Sequence, residues 1–165
     1  MLFKPHLKLD KITDISLETL KELSVDTLIL DVDNTMCIKK GKVMVPNLFD
    51  WINKMQSSGI KLIILSNAKP NRMKGIAKKL GLPFVALGLK PLPFGYFRAA
   101  KRMESKIKNC AIVGDQIFTD IMGGNIAFCK SILLSPIELE TSRGFKIKRG
   151  LERILLKHYN IECNF

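Results

Sequence analysis

The chain has 165 residues, 47% of them hydrophobic and 25% charged, which suits one globular domain spanning residues 1–165 and excludes a disordered chain. No apolar run approaches the ~20 residues that span a bilayer, and the first ten residues lack the apolar core of a signal peptide, so a cytoplasmic protein is expected. A formal net charge of +12 favours anionic partners, whether nucleic acid, anionic lipid or phosphorylated substrate, without choosing among them, and leaves self-association open.

In chain order, Ser16 is placed to cap a short helix through Leu17, Leu20 and Leu23. Thr27 to Leu30 then reads as a buried strand, and Ile60 to Leu65, Phe84 to Leu87, Cys110 to Val113 and Ser131 to Leu134 read the same way. Between them, Leu48, Trp51, Ile52 and Met55 follow helical spacing after Pro46, with Gly59 as the stop. Met73, Ile76, Ala77 and Leu80 repeat that spacing between Pro70 and Gly81, as do Tyr96, Ala99, Ala100 and Met103. Strand and helix alternate, and parallel strands need a crossover that is usually helical. The fold class expected is therefore α/β, a doubly wound parallel sheet with helices on both faces. A final amphipathic helix is expected with Ile147, Leu151, Ile154, Leu155 and His158 on one side.

Cys37, Cys110, Cys129 and Cys163 contain no close pair, so reduced thiols are expected rather than a zinc site or redox motif. His6 and His158 are far apart and suit surface or packing roles. The chemistry-bearing residues instead follow the apolar runs: Asp31 and Asp33 after the first, Ser66 and Asn67 after the second, Asp115 after the fourth. Strand ends of an open α/β sheet border a common crevice, so residues remote in sequence meet there. Asp31 and Asp33 are two apart, and in extended chain their side chains share a side. Three clustered carboxylates repel one another unless a cation intervenes, and magnesium suits an all-oxygen set. A dianionic phosphate about 4 Å from a carboxylate is repelled by roughly 8 kcal/mol at an effective dielectric near 20, so the same ion serves the substrate. Asp31 is then placed to attack phosphorus, Asp33 to act as acid and base, and Ser66, Asn67 and a lysine to hold the phosphoryl oxygens. Asp, Asn and Thr at strand ends also serve as turn and cap residues, but three such clusters at three strand ends go beyond that role.

These residues resemble the motifs of the haloacid dehalogenase (HAD) superfamily of phosphohydrolases, in order. Asp31-Val-Asp-Asn-Thr35 is similar to its first motif, Ser66-Asn67 to its second, Lys90-Pro91 to its lysine motif, and Gly114-Asp-Gln-Ile-Phe-Thr-Asp120 to its acidic fourth. The resemblance runs from about Leu28 to Leu134 and implies a HAD-like Rossmannoid fold. It implies Asp31 as nucleophile, Asp33 as acid and base, and Thr35, Ser66, Asn67 and Lys90 as substrate-binding residues. Mg2+ is implied at Asp31, the Asp33 backbone carbonyl and Asp115, with Asp120 as a supporting carboxylate.

Only 30 residues separate Thr35 from Ser66, and 23 separate Ser66 from Lys90. A helix and a strand use most of each interval, so Met36 to Pro46 reads as a short hairpin flap and no cap domain is expected. Capless relatives that carry DVDNT, SNA, LKP and GDQxFTDxxGGN include the phosphatidylglycerophosphate phosphatases, which makes that lipid monoester one expected substrate. Nucleotides, nucleic-acid ends and phosphoproteins are the alternatives. Met36 in place of leucine, and a tail without the customary Asn-Arg element, depart from the pattern. A receiver-type domain is disfavoured because its acidic pair is adjacent, and a non-catalytic nucleic-acid module explains the charge but not the motifs. Lys146, Arg149, Arg153 and Lys157 form a basic stripe on the final helix, which suits a helix docked on the domain with its lysines solvated or, alternatively, peripheral attachment to an anionic membrane.

Overall fold

The computed structural model describes residues 1–38, 41–138 and 143–161. Its strands are β1 (Leu7–Leu9), β2 (Thr27–Leu30), β3 (Cys37–Ile38), β4 (Val43–Met44), β5 (Lys61–Leu65), β6 (Phe84–Val85), β7 (Cys110–Gly114) and β8 (Lys130–Leu134). Its α-helices are α1 (Leu17–Glu22), α2 (Leu48–Ser57), α3 (Pro70–Leu80), α4 (Phe94–Arg102), α5 (Met122–Ile126) and α6 (Arg143–His158). Six strands form one sheet in the order β1-β8-β7-β2-β5-β6, with every neighbouring pair parallel. The expected doubly wound α/β sheet is present. β1 extends it by three residues that pair with β8, too short a run with Lys8 at its centre to read as a strand from sequence.

The period of two along each strand divides the core. Leu28, Leu30, Leu62 and Ile64 face α2, α3 and the N-terminal segment, while Ile29, Ile63, Leu65 and Ile112 face α4 and Ala127. Trp51 donates its indole N–H to the Ile15 carbonyl at 3.0 Å, which ties α2 to the N-terminal segment. The helix signals act as read: the Ser16 hydroxyl accepts from the Thr19 amide at 3.2 Å at the start of α1. Gly81 closes α3 at φ +67, where a side chain would be strained. β6 ends two residues before the expected Leu87, because Leu87 turns to φ 48 and its amide bonds the Ala68 carbonyl at 3.1 Å instead of a strand neighbour.

The segment from Met36 to Pro46 forms the β3–β4 antiparallel hairpin, with Lys39 and Lys40 outside the described residues. Among the described residues no cap domain covers the sheet, and no helix is long and apolar enough to cross a membrane. Cys37, Cys110 and Cys129 are free and buried; Cys163 lies outside the described residues.

The orientation of α6 corrects the sequence reading. Ile147, Leu151 and Ile154 are 67%, 51% and 65% exposed and His158 is also exposed, whereas Arg149, Glu152 and Leu156 are buried. Leu155, half-buried, packs with Leu156 against Ile117, Ile121 and Leu133. The helix is fixed by ion pairs from Arg149 to Asp115 and Glu152, and these turn its polar side toward the sheet. Arg149 therefore does not belong to an exposed basic stripe.

Candidate active site

Chain order reverses at β2: the chain runs outward through β5 and β6, then returns to build β7 and β8 on the other side. Such a switch point opens a crevice at the carboxyl ends of the strands. Asp31 follows β2 there, its amide bonded to the Val113 carbonyl of β7 at 2.9 Å, and Asp115 follows β7. The loop after β6 is laced to the loop after β5 through Gly88 N to Ser66 O at 2.9 Å. Asn67 completes the lacing, since its carbonyl oxygen accepts from the Lys90 amide at 2.7 Å and its amide donates to the Lys90 carbonyl at 3.0 Å. Lys90 is thereby carried to the carboxylates. Its ammonium donates to Asp31 Oδ1 at 2.5 Å and to Asp120 Oδ1 at 2.6 Å.

Asp120 arrives from the turn Ile117–Ile121, and Gly114 makes room for it. A Cβ on Gly114 would lie 2.4 Å from the Asp120 carboxyl carbon, so a side chain at that strand end would expel the carboxylate. The second Asp120 oxygen accepts from the Gln116 amide at 3.2 Å. Both oxygens are thus in use, which suits a supporting carboxylate. Tyr96 of α4 holds the same turn by donating to the Thr119 carbonyl at 2.8 Å.

A cleft of about 230 Å3 opens over these groups, lined by Asp31, Asp33, Ser66, Asn67, Arg72, Lys90, Gln116 and Thr119 among others. Asp33 sits at its rim, about half exposed, and accepts from Arg72 at 2.5 Å. Ser66 is buried at the cleft and accepts from the Ala68 amide at 3.1 Å. Thr35 is not brought to the cleft: it is buried with its hydroxyl unpartnered among the described residues and borders a separate cavity of about 510 Å3 with Asp10, Asn47 and Ser135. Arg72 escaped the sequence reading, although its place in the first turn of the helix after Ser66-Asn67 is a usable signal.

The electrostatics favour a divalent cation. Burial pushes the Asp31 carboxyl up to about 6, opposed by Lys90 and reinforced by Asp120. Burial pushes Asp115 up to about 8 against the pull of Arg149. Burial disfavours the Lys90 ammonium, but Asp120 and Asp31 outweigh it and hold Lys90 above the ordinary lysine range. Asp31, Asp115, Asp120 and Glu152 are buried carboxylates facing two buried cations, Lys90 and Arg149. With all four ionised, two positive charges are lacking, which is what a divalent ion would supply, and ligand atoms of Asp31, Asp115 and Asp120 lie within 4.8 Å of one another. Asp115 Oδ1 is buried with no hydrogen-bond partner among the described residues, an available hard oxygen ligand. The residues fit a divalent metal.

A doubly wound sheet with an aspartate and lysine cluster at its switch point, no cap, and HAD relatives by sequence and by fold define the class: a HAD-type phosphoric monoester hydrolase. The chain belongs to the family described as mitochondrial PGP phosphatase, which matches residues 1–137. A probable phosphatase, YqeG, of Bacillus subtilis (strain 168) is 36% identical over 156 residues, covering 93% of this chain and 90% of that one. The fold is shared with a 4-nitrophenylphosphatase from Thermotoga maritima at TM-score 0.60 and 10% identity, covering 74% of this chain and 89% of that one. It is also shared with a HAD family hydrolase from Deinococcus radiodurans R1, solved with bound phosphate and sodium, at TM-score 0.56 and 13% identity over 86% and 99% of the two chains.

Proposed function

We propose that the chain hydrolyses a phosphate monoester through an aspartyl-phosphate on Asp31, with Mg2+ at Asp31, the Asp33 backbone carbonyl and Asp115. The observation that carries this reading is the buried cluster in which Asp31 and Asp115, at the ends of the adjacent strands β2 and β7, meet Lys90 and Asp120 from the segments after β6 and β7, with Asp33 at the cleft rim. An Asp31 oxygen attacks phosphorus, the ester P–O bond breaks, and Asp33 gives its proton to the departing oxygen. Asp33 then takes a proton from water as that water attacks phosphorus and the bond to Asp31 breaks. Lys90 and Ser66 hold the phosphoryl oxygens, Asn67 fixes Lys90, and Arg72 orients Asp33. Bound Mg2+ supplies the positive charge that lets a phosphate dianion approach the carboxylates.

Two observations favour a lipid phosphate such as phosphatidylglycerophosphate. Leu87, Leu89, Leu92 and Phe94 are exposed on both chain sides of Lys90, at 48%, 58%, 50% and 62%. Isolated exposed apolar residues are ordinary, but a run of them beside a ligand-binding lysine suits a substrate with an apolar part. The outward face of α6 carries Ile147, Leu151 and Ile154 next to exposed Lys146, Arg153 and Lys157, which suits peripheral contact with an anionic bilayer.

The test is phosphate release from phosphatidylglycerophosphate in mixed micelles, nucleotides, 5′-phosphorylated oligonucleotides and a phosphopeptide, with Mg2+ or EDTA, and with Asp31→Asn as control. Magnesium-dependent release that disappears in Asp31→Asn is expected, fastest on the lipid. Faster release from a soluble ester would remove the lipid assignment and leave the phosphatase chemistry. In parallel, combining Lys146→Glu, Arg153→Glu and Lys157→Glu should weaken sedimentation with anionic vesicles while sparing turnover of a small soluble ester. Equal vesicle binding across salt concentrations would exclude the membrane contact.

A further inference from the structure

We infer that Arg149, braced by Glu152, is a positioning residue for Asp115: it holds one carboxylate oxygen and the backbone so that the other oxygen is presented to a divalent cation. This rests on the metal-dependent reading above, yet the residues concerned lie on α6, beyond the 1–137 segment that matches the family.

Three contacts of the Arg149 guanidinium with described residues bear on Asp115 and its brace. Nη2 donates to Asp115 Oδ2, while Nη1 donates to the Asp115 backbone carbonyl at 2.6 Å and to Glu152 Oε2 at 2.8 Å. Glu152 Oε1 in turn accepts from the Ile117 amide at 2.8 Å. Arg149 and Glu152 are 6% and 0% exposed. Side chain and backbone of the loop from Asp115 to Ile117 are thus gripped together, and a neighbouring side chain, Lys148, reaches Gln116 in the same loop. Asp115 Oδ1, left out of this grip, is buried without a hydrogen-bond partner among the described residues, and Asp115 belongs to the carboxylate cluster. A carboxylate that must give one oxygen to a metal needs its other oxygen and its torsion fixed, and such outer partners typically change metal affinity by about 10- to 100-fold. Arginine suits the task because its planar fork can serve a carboxylate and a carbonyl at once, which a lysine ammonium does less well.

A purely structural account has the pair serving only to attach α6. Attachment has its own apolar contact, Leu156 with Ile117, Ile121 and Leu133, so the two roles separate by mutation. The experiment measures Mn2+ binding to the full chain without substrate, by electron paramagnetic resonance and calorimetry, for the parent, Arg149→Gln, Arg149→Lys and Leu156→Ala, with thermal melts of each. The inference expects about 10- to 100-fold weaker Mn2+ binding in Arg149→Gln and a smaller loss in Arg149→Lys. It expects Leu156→Ala to melt earlier while keeping Mn2+ affinity within about twofold, since the bonds that hold Asp115 come from Arg149 and Leu156 shares only Ile117 with the gripped loop. Parental affinity in folded Arg149→Gln overturns the inference, as does an equal loss in Leu156→Ala, which would assign the effect to helix docking. If Arg149→Gln does not fold, Arg149→Lys, which keeps the buried charge, decides by the same criterion. A parent that binds no Mn2+ defeats the metal reading itself, and the inference with it.

Discussion

The two ends of β2 carry the same residue type in opposite circumstances. At its amino end Asp26 is exposed and surrounded by neutral donors: Thr27 Oγ1 at 2.7 Å, Ser105 Oγ at 3.2 Å and Asn109 Nδ2 at 3.2 Å. At the carboxyl end Asp31 is buried, paired with Lys90, and crowded by Asp115 and Asp120. Asp26 stitches adjacent connections together and is relieved by water. Asp31 has no such relief, so its charge depends on cations, and that dependence is what makes it chemically useful. The same parallel strand therefore separates a stabilising edge from a reactive one, because only at the carboxyl ends does the chain reversal leave a crevice.

Neutralising each of the two aspartates in turn separates the reactive edge from the stabilising one. Asp31→Asn should lower phosphate release on the order of 10^3-fold or more, because an amide cannot serve as the nucleophile, while the melting temperature is retained or rises as carboxylate crowding eases. Substantial turnover in that variant would end the covalent mechanism. Lys90→Met should come next, costing about 3–5 kcal/mol in urea denaturation, since Asp31 and Asp120 lose the buried cation between them. Adding Asp120→Asn should recover part of that loss; no recovery would mean that Lys90 stabilises by packing rather than charge.

Changes at the amino edge should be milder. Asp26→Asn keeps an acceptor for Thr27 and Ser105, so stability should change by no more than about 1 kcal/mol and turnover should not change. A turnover defect there would show the edges to be coupled. The smallest effect concerns His6, which sits on the same edge with Nδ1 3.0 Å from the Ser131 hydroxyl. Burial, then the Lys130 charge, lowers its pKa from 6.5, so the folded chain resists a proton that the unfolded chain accepts. Its stabilising contribution is complete above about pH 6.5 and declines as pH falls toward the folded value. His6→Gln should flatten this part of the pH dependence of the melting temperature, and an unchanged slope would remove His6 as its source.

The order of residues is enough to set the alternation of strands and helices, the buried faces of α2 and α3 and the strand ends carrying Asp31, Ser66 and Asp115, because periodicity and punctuation are local properties. It also determined the absence of room for a cap, since chain length between motifs is countable. Tertiary structure decided which side of α6 is buried. Helical spacing marks Ile147, Leu151 and Ile154 as a stripe, but a buried ion pair with a loop more than 30 residues away turns Arg149 and Glu152 inward instead. It likewise decided that Asn67 clamps the Lys90 backbone, that Arg72 meets Asp33 and that Thr35 borders another cavity. Apart from Arg72, whose place in the first turn of α3 is a local signal, each of these depends on which loops become neighbours across the sheet, and no local pattern of residues encodes that adjacency.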